Sequence, residues 1–153
     1  SEALHRWLAK RPDVVFRGAS YTHEIGVIAR IDRFVSINSA LEVDLFGQIN
    51  AEVVGGRQVS GAGGLVDFMR GARASRGGRS IVALPSTARR GAVSRIVPRV
   101  EMVTAPRTDA DLIVTEFGVA DLGARPLEER AEALIAIAHP DFRDEIRRHT
   151  AAA

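Results

Sequence analysis

The feature that most constrains this chain is its alternation of short apolar runs with segments of helical period, punctuated by glycine pairs. Asp13–Phe16, Phe34–Asn38, Val43–Phe46, Ser80–Leu84, Arg95–Val97, Glu101–Thr104 and Leu112–Thr115 are short runs, most of them β-branched, that predict strands. Between them, Ala3, Leu4, Trp7 and Leu8, then Ile25, Ile28 and Ala29, then Leu65, Val66, Phe68 and Met69 recur at helical spacing. Leu127, Ala131, Leu134, Ile135 and Ala138 lie on one face of a further helix begun by Pro126 and ended by Pro140, with a last short helix over Asp141–Arg148. Ile49–Ser60 holds two extended pieces about Gly55-Gly56, a hairpin signal. Strands interleaved with helices predict an α/β layered domain built on a parallel or mixed sheet. No internal repeat, low-complexity linker or shift of composition divides residues 1–153, so one domain is expected.

Composition narrows the function classes. Hydrophobic residues make up 46% of the 153 residues and charged residues 26%, which suits a globular domain with a real core. The chain has no cysteine, which removes disulfides, thiol catalysis and thiolate metal sites together and points to a cytoplasmic setting. No apolar run approaches the roughly 20 residues that cross a membrane, and Ser1–Lys10 lacks the layout of a secretory signal. The net charge is only +2, and Lys10 is the single lysine among 21 basic residues. No basic cluster is interleaved with aromatics, so nucleic acid is not an expected partner.

Four constellations could carry chemistry. Gly61-Ala62-Gly63-Gly64 opens a helix, where free N–H groups and the positive dipole end suit a phosphate or an oxyanion, although tight strand-to-helix turns also use glycine for steric reasons alone. It is neither a Walker loop nor a GxGxxG fingerprint. Arg70, Arg73, Arg76 and Arg79 recur every three residues, which gives either an anion-facing ridge or a solvated helix face. Glu116 ends an apolar strand, at the edge where sites collect in α/β sheets. Asp67, Glu42 and Asp44 are further carboxylates that spacing alone does not pair as acid and base. His5, His23, His139 and His149 show no metal spacing, and no metal site is expected; His139-Pro140 marks a helix end.

Taken in order, "SINSALEVDLFGQINAE", "GAGGLVDFMRGA", "GGRSIVALPSTA", "SRIVP", "PRTDADLIVTEFGVADL" and "ERAEALIAIAHPDFR" resemble the acetyl-CoA hydrolase/transferase family, over roughly Asp13–Arg143. The resemblance implies the carboxy-terminal half of a CoA-transferase subunit, with a three-layer αβα fold of the NagB/RpiA/CoA-transferase type. It also implies a ping-pong reaction in which a glutamate attacks an acyl-CoA, becomes a glutamyl-CoA thioester and passes CoA to a second carboxylic acid. Water in place of that acid would make the same machinery a hydrolase. The family's nucleophile lies in an amino-terminal half, in a motif after a histidine, and no matching motif is found here; Glu24 after His23 aligns with a later segment. The isolated chain is therefore expected to be inactive, needing an amino-terminal catalytic half in the same or a separate chain.

By position, the resemblance implies Gly64 as main-chain oxyanion donor, Gly61 and Gly63 beside it in the CoA site, and Arg76 on CoA phosphates. It implies Glu116 as a second, non-nucleophilic glutamate near the substrate. His23 stands where many relatives have asparagine, a substrate-side position whose role this departure leaves open. Coenzyme A and acyl-CoA are expected as substrates, with no permanently bound cofactor, and a homo-oligomer is expected. The alternative is a non-catalytic module that binds CoA or a partner.

Overall fold

The computed structural model describes residues 1–149. Three short helices, α1 (Glu2–Leu8), α2 (Ala19–Thr22) and α3 (Ile25–Ile28), lead into β1 (Val35–Ser39), β2 (Glu42–Asp44) and β3 (Ile49–Asn50). A hairpin of β4 (Val53–Val54) and β5 (Arg57–Gln58) precedes the helix α4 (Leu65–Ala74). Then come β6 (Arg79–Ala83), a hairpin of β7 (Thr87–Ala88) and β8 (Val93–Ser94), and β9 (Ile96–Val97). β10 (Leu112–Thr115), β11 (Gly118–Asp121), α5 (Leu127–Ile137) and α6 (Pro140–Arg148) complete the order.

The main sheet runs β1-β6-β10-β11, its first three strands parallel and β11 antiparallel to β10. Parallel neighbours need a crossover, and α4 supplies the one between β1 and β6. Leu65, Met69 and Ala72, at i, i+4 and i+7, form the buried stripe of α4. Burying a side chain such as Met69 contributes about 1.5–3 kcal/mol. Leu65 and Met69 share one cluster with Val82 of β6, Ile113 of β10, Ala120 of β11 and Leu134 and Ile135 of α5. Val43, Ile49 and Ile96 join it from a second sheet of order β3-β2-β9. The end of α4 is fixed by Ser75, whose Oγ donates to the Ile31 carbonyl at 2.6 Å and accepts from Phe34 N–H at 3.1 Å. Those two bonds tie the helix to the entry of β1.

The expected mixed sheet with helices is present. Helices α4 and α5 pack on the face that carries Val82, Ile113 and Ala120. The opposite face carries Val35 and Ile37 of β1, Ile81 and Ala83 of β6, Leu112 and Val114 of β10 and Val119 of β11, which the register sets side by side. Ile37 is 70% exposed and Val119 60%, so the second helical layer of a three-layer fold is not supplied by the described residues.

Two predicted strands do not form. Asp13–Phe16 forms no strand, and Val15 and Phe16 are exposed. Glu101–Thr104 makes no strand; the only pairing nearby is an isolated bridge between Ile49 and Ala105. Thr104 N–H, at 2.8 Å, and Ala105 N–H, at 3.1 Å, both turn onto the Ile49 carbonyl, so the segment carries no ladder beyond that bridge. Pro140 does end the α5 pattern, and it also opens α6 at the first turn, with His139 Nδ1 accepting from Asp141 N–H at 3.3 Å.

Candidate active site

The parallel strands point their carboxy ends to one edge. Asn38 and Ser39 close β1 there, Ser86 follows β6, Glu116 follows β10, and the glycine loop enters α4 beside them. This edge is where α/β sheets collect ligands.

The loop Gly61–Gly64 reaches α4 through Gly63, whose φ of +54° is the left-handed conformation that glycine tolerates best. Gly64 is the N-cap residue and brings no capping side chain. Leu65 N–H bonds back to the Ala62 carbonyl at 3.3 Å, while the N–H groups of Gly64, Val66 and Asp67 meet no acceptor among the described residues. The opening of α4 therefore presents free donors at the positive end of its dipole.

His23 ends α2 and packs its ring on Phe68 of α4, with centroids 4.8 Å apart and planes at 57°. Its Nδ1 lies 2.9 Å from Thr22 Oγ1, and its Cδ2–Nε2 edge faces Gly64 so closely that a Cβ there would collide with both atoms. Two residues 41 positions apart in the sequence thus form one wall, with the imidazole edge where a side chain on residue 64 would begin.

A cleft of about 550 Å³ opens at this wall. Asn38, Ser39, Ser60 and Arg95 supply its polar lining, and Leu41, Leu65 and Phe68 its apolar side. No aspartate or glutamate among the described residues lines it. Such a cleft can accept an anion or a carbonyl oxygen, but it holds no carboxylate nucleophile of its own.

Glu116 is exposed and stands two strands along the sheet from β1, about 10 Å at ordinary strand spacing. It does not line the cleft. Both carboxylate oxygens are taken by Ser86: Oε1 accepts from Ser86 Oγ at 2.7 Å and Oε2 from Ser86 N–H at 2.8 Å. The hydroxyl bond first and the amide bond second hold Glu116 below the usual glutamate range, because they favour the ionised form. The Ser86 carbonyl in turn accepts from Arg95 N–H at 2.8 Å, and the Arg95 carbonyl accepts from Val43 N–H at 2.9 Å. Glu116 thus reaches the cleft indirectly, by fixing the serine that fixes Arg95.

The arginine series divides. Arg70 pairs with Asp109 at 2.8 Å and Arg79 with Asp111 at 3.5 Å, while Arg73 donates to the Thr108 carbonyl. Arg76 forks onto Asp32 and is 84% exposed. It follows the carboxy end of α4, so the length of that helix, about 15 Å for ten residues, separates it from Gly64. Gly61 and Gly64 line the cleft, Gly63 and His23 adjoin Gly64 without lining it, and Arg76 and Glu116 stand away from it.

The other carboxylates serve turns. Buried Asp44 accepts from Phe46 N–H, Gln48 N–H and Gln48 Nε2 at 2.8–3.0 Å, and Glu42 accepts from Asn50 at 3.2 Å. Among the described residues no group of three or more His, Cys, Asp or Glu could hold a metal ion, and no helix is long and apolar enough to cross a membrane. Sequence reasoning missed Asn38, Ser86 and Arg95 as site residues. All three lie inside motifs quoted for the family resemblance, which was the available signal.

Residues 1–150 match the family model described as the acetyl-CoA hydrolase/transferase C-terminal domain. The chain is 46% identical over 149 residues to the 4-hydroxybutyrate coenzyme A transferase of Clostridium kluyveri, covering 95% of this chain and 35% of that protein. It is 45% identical over 152 residues to the butyryl-CoA:acetate CoA-transferase of Anaerostipes caccae, covering 95% of this chain and 34% of the relative. It superposes on the crystal structure of 4-hydroxybutyrate CoA-transferase from Porphyromonas gingivalis with a TM-score of 0.84 and 43% identity, over 99% of this chain and 35% of that one. The chain spans about a third of the length of the curated relatives it matches.

Proposed function

Because this chain belongs to the acetyl-CoA hydrolase/transferase family, as its C-terminal domain, we propose that it is the half of a CoA-transferase that stabilises the oxyanions of the reaction. In this reading a glutamate on an amino-terminal half attacks the thioester carbonyl of an acyl-CoA and expels CoA thiolate. The thiolate then attacks the glutamyl carbonyl of the resulting anhydride, releases the first carboxylate and leaves a glutamyl-CoA thioester. A second carboxylate reverses these steps and leaves with CoA. Each attack puts negative charge on a carbonyl oxygen, and Gly64 N–H is the donor aimed at it, worth about 3 kcal/mol by analogy with other oxyanion donors. His23, whose imidazole edge packs against residue 64, holds that loop in place beside the reacting carbonyl.

The observation that carries this reading is the pairing of a free Gly64 N–H with a cleft that no carboxylate lines. Such a wall can stabilise an acyl-transfer intermediate and must receive its nucleophile from elsewhere. The relatives, about three times as long as this chain, have room for that nucleophile. The reading also includes a cytoplasmic enzyme assembled as a homo-oligomer.

The test is to join this chain to the amino-terminal two-thirds of the Clostridium kluyveri relative and assay transfer from butyryl-CoA to acetate. Transfer with a glutamyl-CoA adduct trapped by hydroxylamine or borohydride is expected, and none from the isolated chain. A joined, folded protein that yields no adduct sinks the reading. Water as acceptor would appear as acetyl-CoA hydrolysis and would mark the hydrolase variant.

A further inference from the structure

Two of the cleft's four polar side chains carry an orphaned donor. Asn38 Nδ2 and Arg95 Nε are buried and have no hydrogen-bond partner among the described residues. A buried donor without an acceptor costs about 1–3 kcal/mol; Ser36 Oγ and Ser80 Oγ are orphaned in the same way, but only Asn38 and Arg95 belong to side chains that line the cleft. Asn50, the other asparagine of this region, shows what a purely structural one does here. Its Nδ2 donates to the Val53 carbonyl at 2.7 Å and to Glu42, and its Oδ1 accepts from Glu52 and Val53 N–H, each at 3.0 Å. The Asn38 carboxamide makes none of these bonds.

Arg95 differs from its neighbours in the same way. Arg70, Arg76 and Arg79 each face a carboxylate, whereas the Arg95 side chain bonds only the Ala40 carbonyl, at 3.3 Å. Both groups are held in place. Asn38 sits opposite Val82 in the parallel ladder, and the Arg95 backbone is clamped between Ser86 and Val43.

We propose that Asn38 and Arg95 form the subsite for the carboxylate of the small acid that exchanges CoA. The acid's chain lies against Leu41, Leu65 and Phe68. The inference rests on the transferase reading and adds the ligand's chemical class. Both reading groups are donors, one of them a guanidinium, and a carboxylate accepts from such a pair. With an apolar wall on the other side and a single cation in the cleft, the class is a short monocarboxylate rather than a dicarboxylate, whose second charge would have no partner.

The experiment titrates butyrate, then succinate, into the ¹⁵N-labelled chain and follows the Asn38 side-chain amide and Arg95 Nε–H signals by NMR. Butyrate is expected to shift both and saturate in the millimolar range, with succinate weaker. Asn38→Asp and Arg95→Gln are each expected to weaken binding about tenfold or more, the scale of one charge-assisted hydrogen bond. Should Arg95→Gln fail to fold, the near-isosteric Asn38→Asp decides. In the joined protein, Asn38→Asp is expected to raise KM for acetate by a similar factor, with less change in KM for butyryl-CoA. Shifts confined to other residues, or an unchanged KM for acetate, overturn the subsite. CoA transfer with neither side chain responding removes the subsite and leaves the transferase reading; butyrate binding here without transfer does the reverse.

Discussion

The imidazole edge of His23 occupies the space that a Cβ on residue 64 would need, so the identity of residue 64 is set by a side chain 41 positions earlier. The backbone at Gly64, with φ −94° and ψ 14°, is open to any residue, which makes the constraint steric and local to this contact.

Gly64→Ala is therefore expected to lose about 1–3 kcal/mol by overpacking, measured by urea denaturation. Adding His23→Ala should recover much of that loss, since it removes the colliding ring. Gly63→Ala, where φ is +54° and a Cβ would meet nothing within 4 Å, should cost about 1 kcal/mol from backbone conformation alone and gain nothing from His23→Ala. Equal behaviour of the two glycines in the double variants would refute the contact.

The Ser86–Glu116 pair predicts a stability step in acid. A glutamate whose folded value is lowered contributes stability above its unfolded pKa, about 4.3, and loses it as pH falls through the lowered folded value. Ser86→Ala removes the hydroxyl bond, the larger cause of the shift. Thermal melts of the two proteins should differ near neutral pH and converge below about pH 4, the ordinary carboxylate range. A difference that persists undiminished into acid would assign it to Ser86 packing instead.

Arg76→Ala should leave the melting temperature almost unchanged. Its partner Asp32 is half exposed and Arg76 itself is 84% exposed, and exposed ion pairs contribute about 0–1 kcal/mol. In the joined enzyme the same variant separates two roles. A raised KM for acyl-CoA with unchanged stability supports the CoA-phosphate contact that the family resemblance implies, and no change removes it.

The bare face of the main sheet predicts self-association of the isolated chain. Ile37 and Val119 stand at opposite sides of an apolar surface that continues through Ile81 and Val114. Ile37→Lys with Val119→Lys should shift sedimentation toward monomer and leave the circular dichroism unchanged, because neither side chain belongs to the core cluster.

Much of the fold was legible because local pattern and tertiary burial agree. The spacing of Leu65, Val66, Phe68 and Met69 predicts α4, and Leu65 and Met69 are what the core takes up. The strands β1, β6 and β10 follow from the same agreement, and the exposed hairpin about Gly55-Gly56 from its turn residues alone. The failures come where pattern has no partner. Asp13–Phe16 has β-propensity but no neighbouring strand, and Glu101–Thr104 meets only the Ile49 carbonyl at its end. β11 and the β7–β8 hairpin escaped because Gly118 and Arg89-Arg90-Gly91, all at positive φ, make turns whose flanking strands are too short to show a period.

In the site, the glycine loop was legible from composition and His23 only as a residue beside a motif, since no spacing rule joins positions 23 and 64. Ser86 and Asn38 were invisible as site residues for the same reason. Serine and asparagine are common in turns, and only the parallel register brings these two to the ligand edge.

The strand order of the main sheet also dictates when its parts can assemble. β10 and β11 are joined by a two-residue turn and can close on the microsecond scale of an isolated hairpin. β1 has no partner until β6 exists, more than one α-helix later in the chain. During synthesis the apolar edge of Val35–Ser39 must wait unpaired through the translation of some forty residues, a window of several seconds at ordinary elongation rates. That interval opens this polypeptide to chaperone capture or aggregation before the finished sheet, with its own bare face, exists.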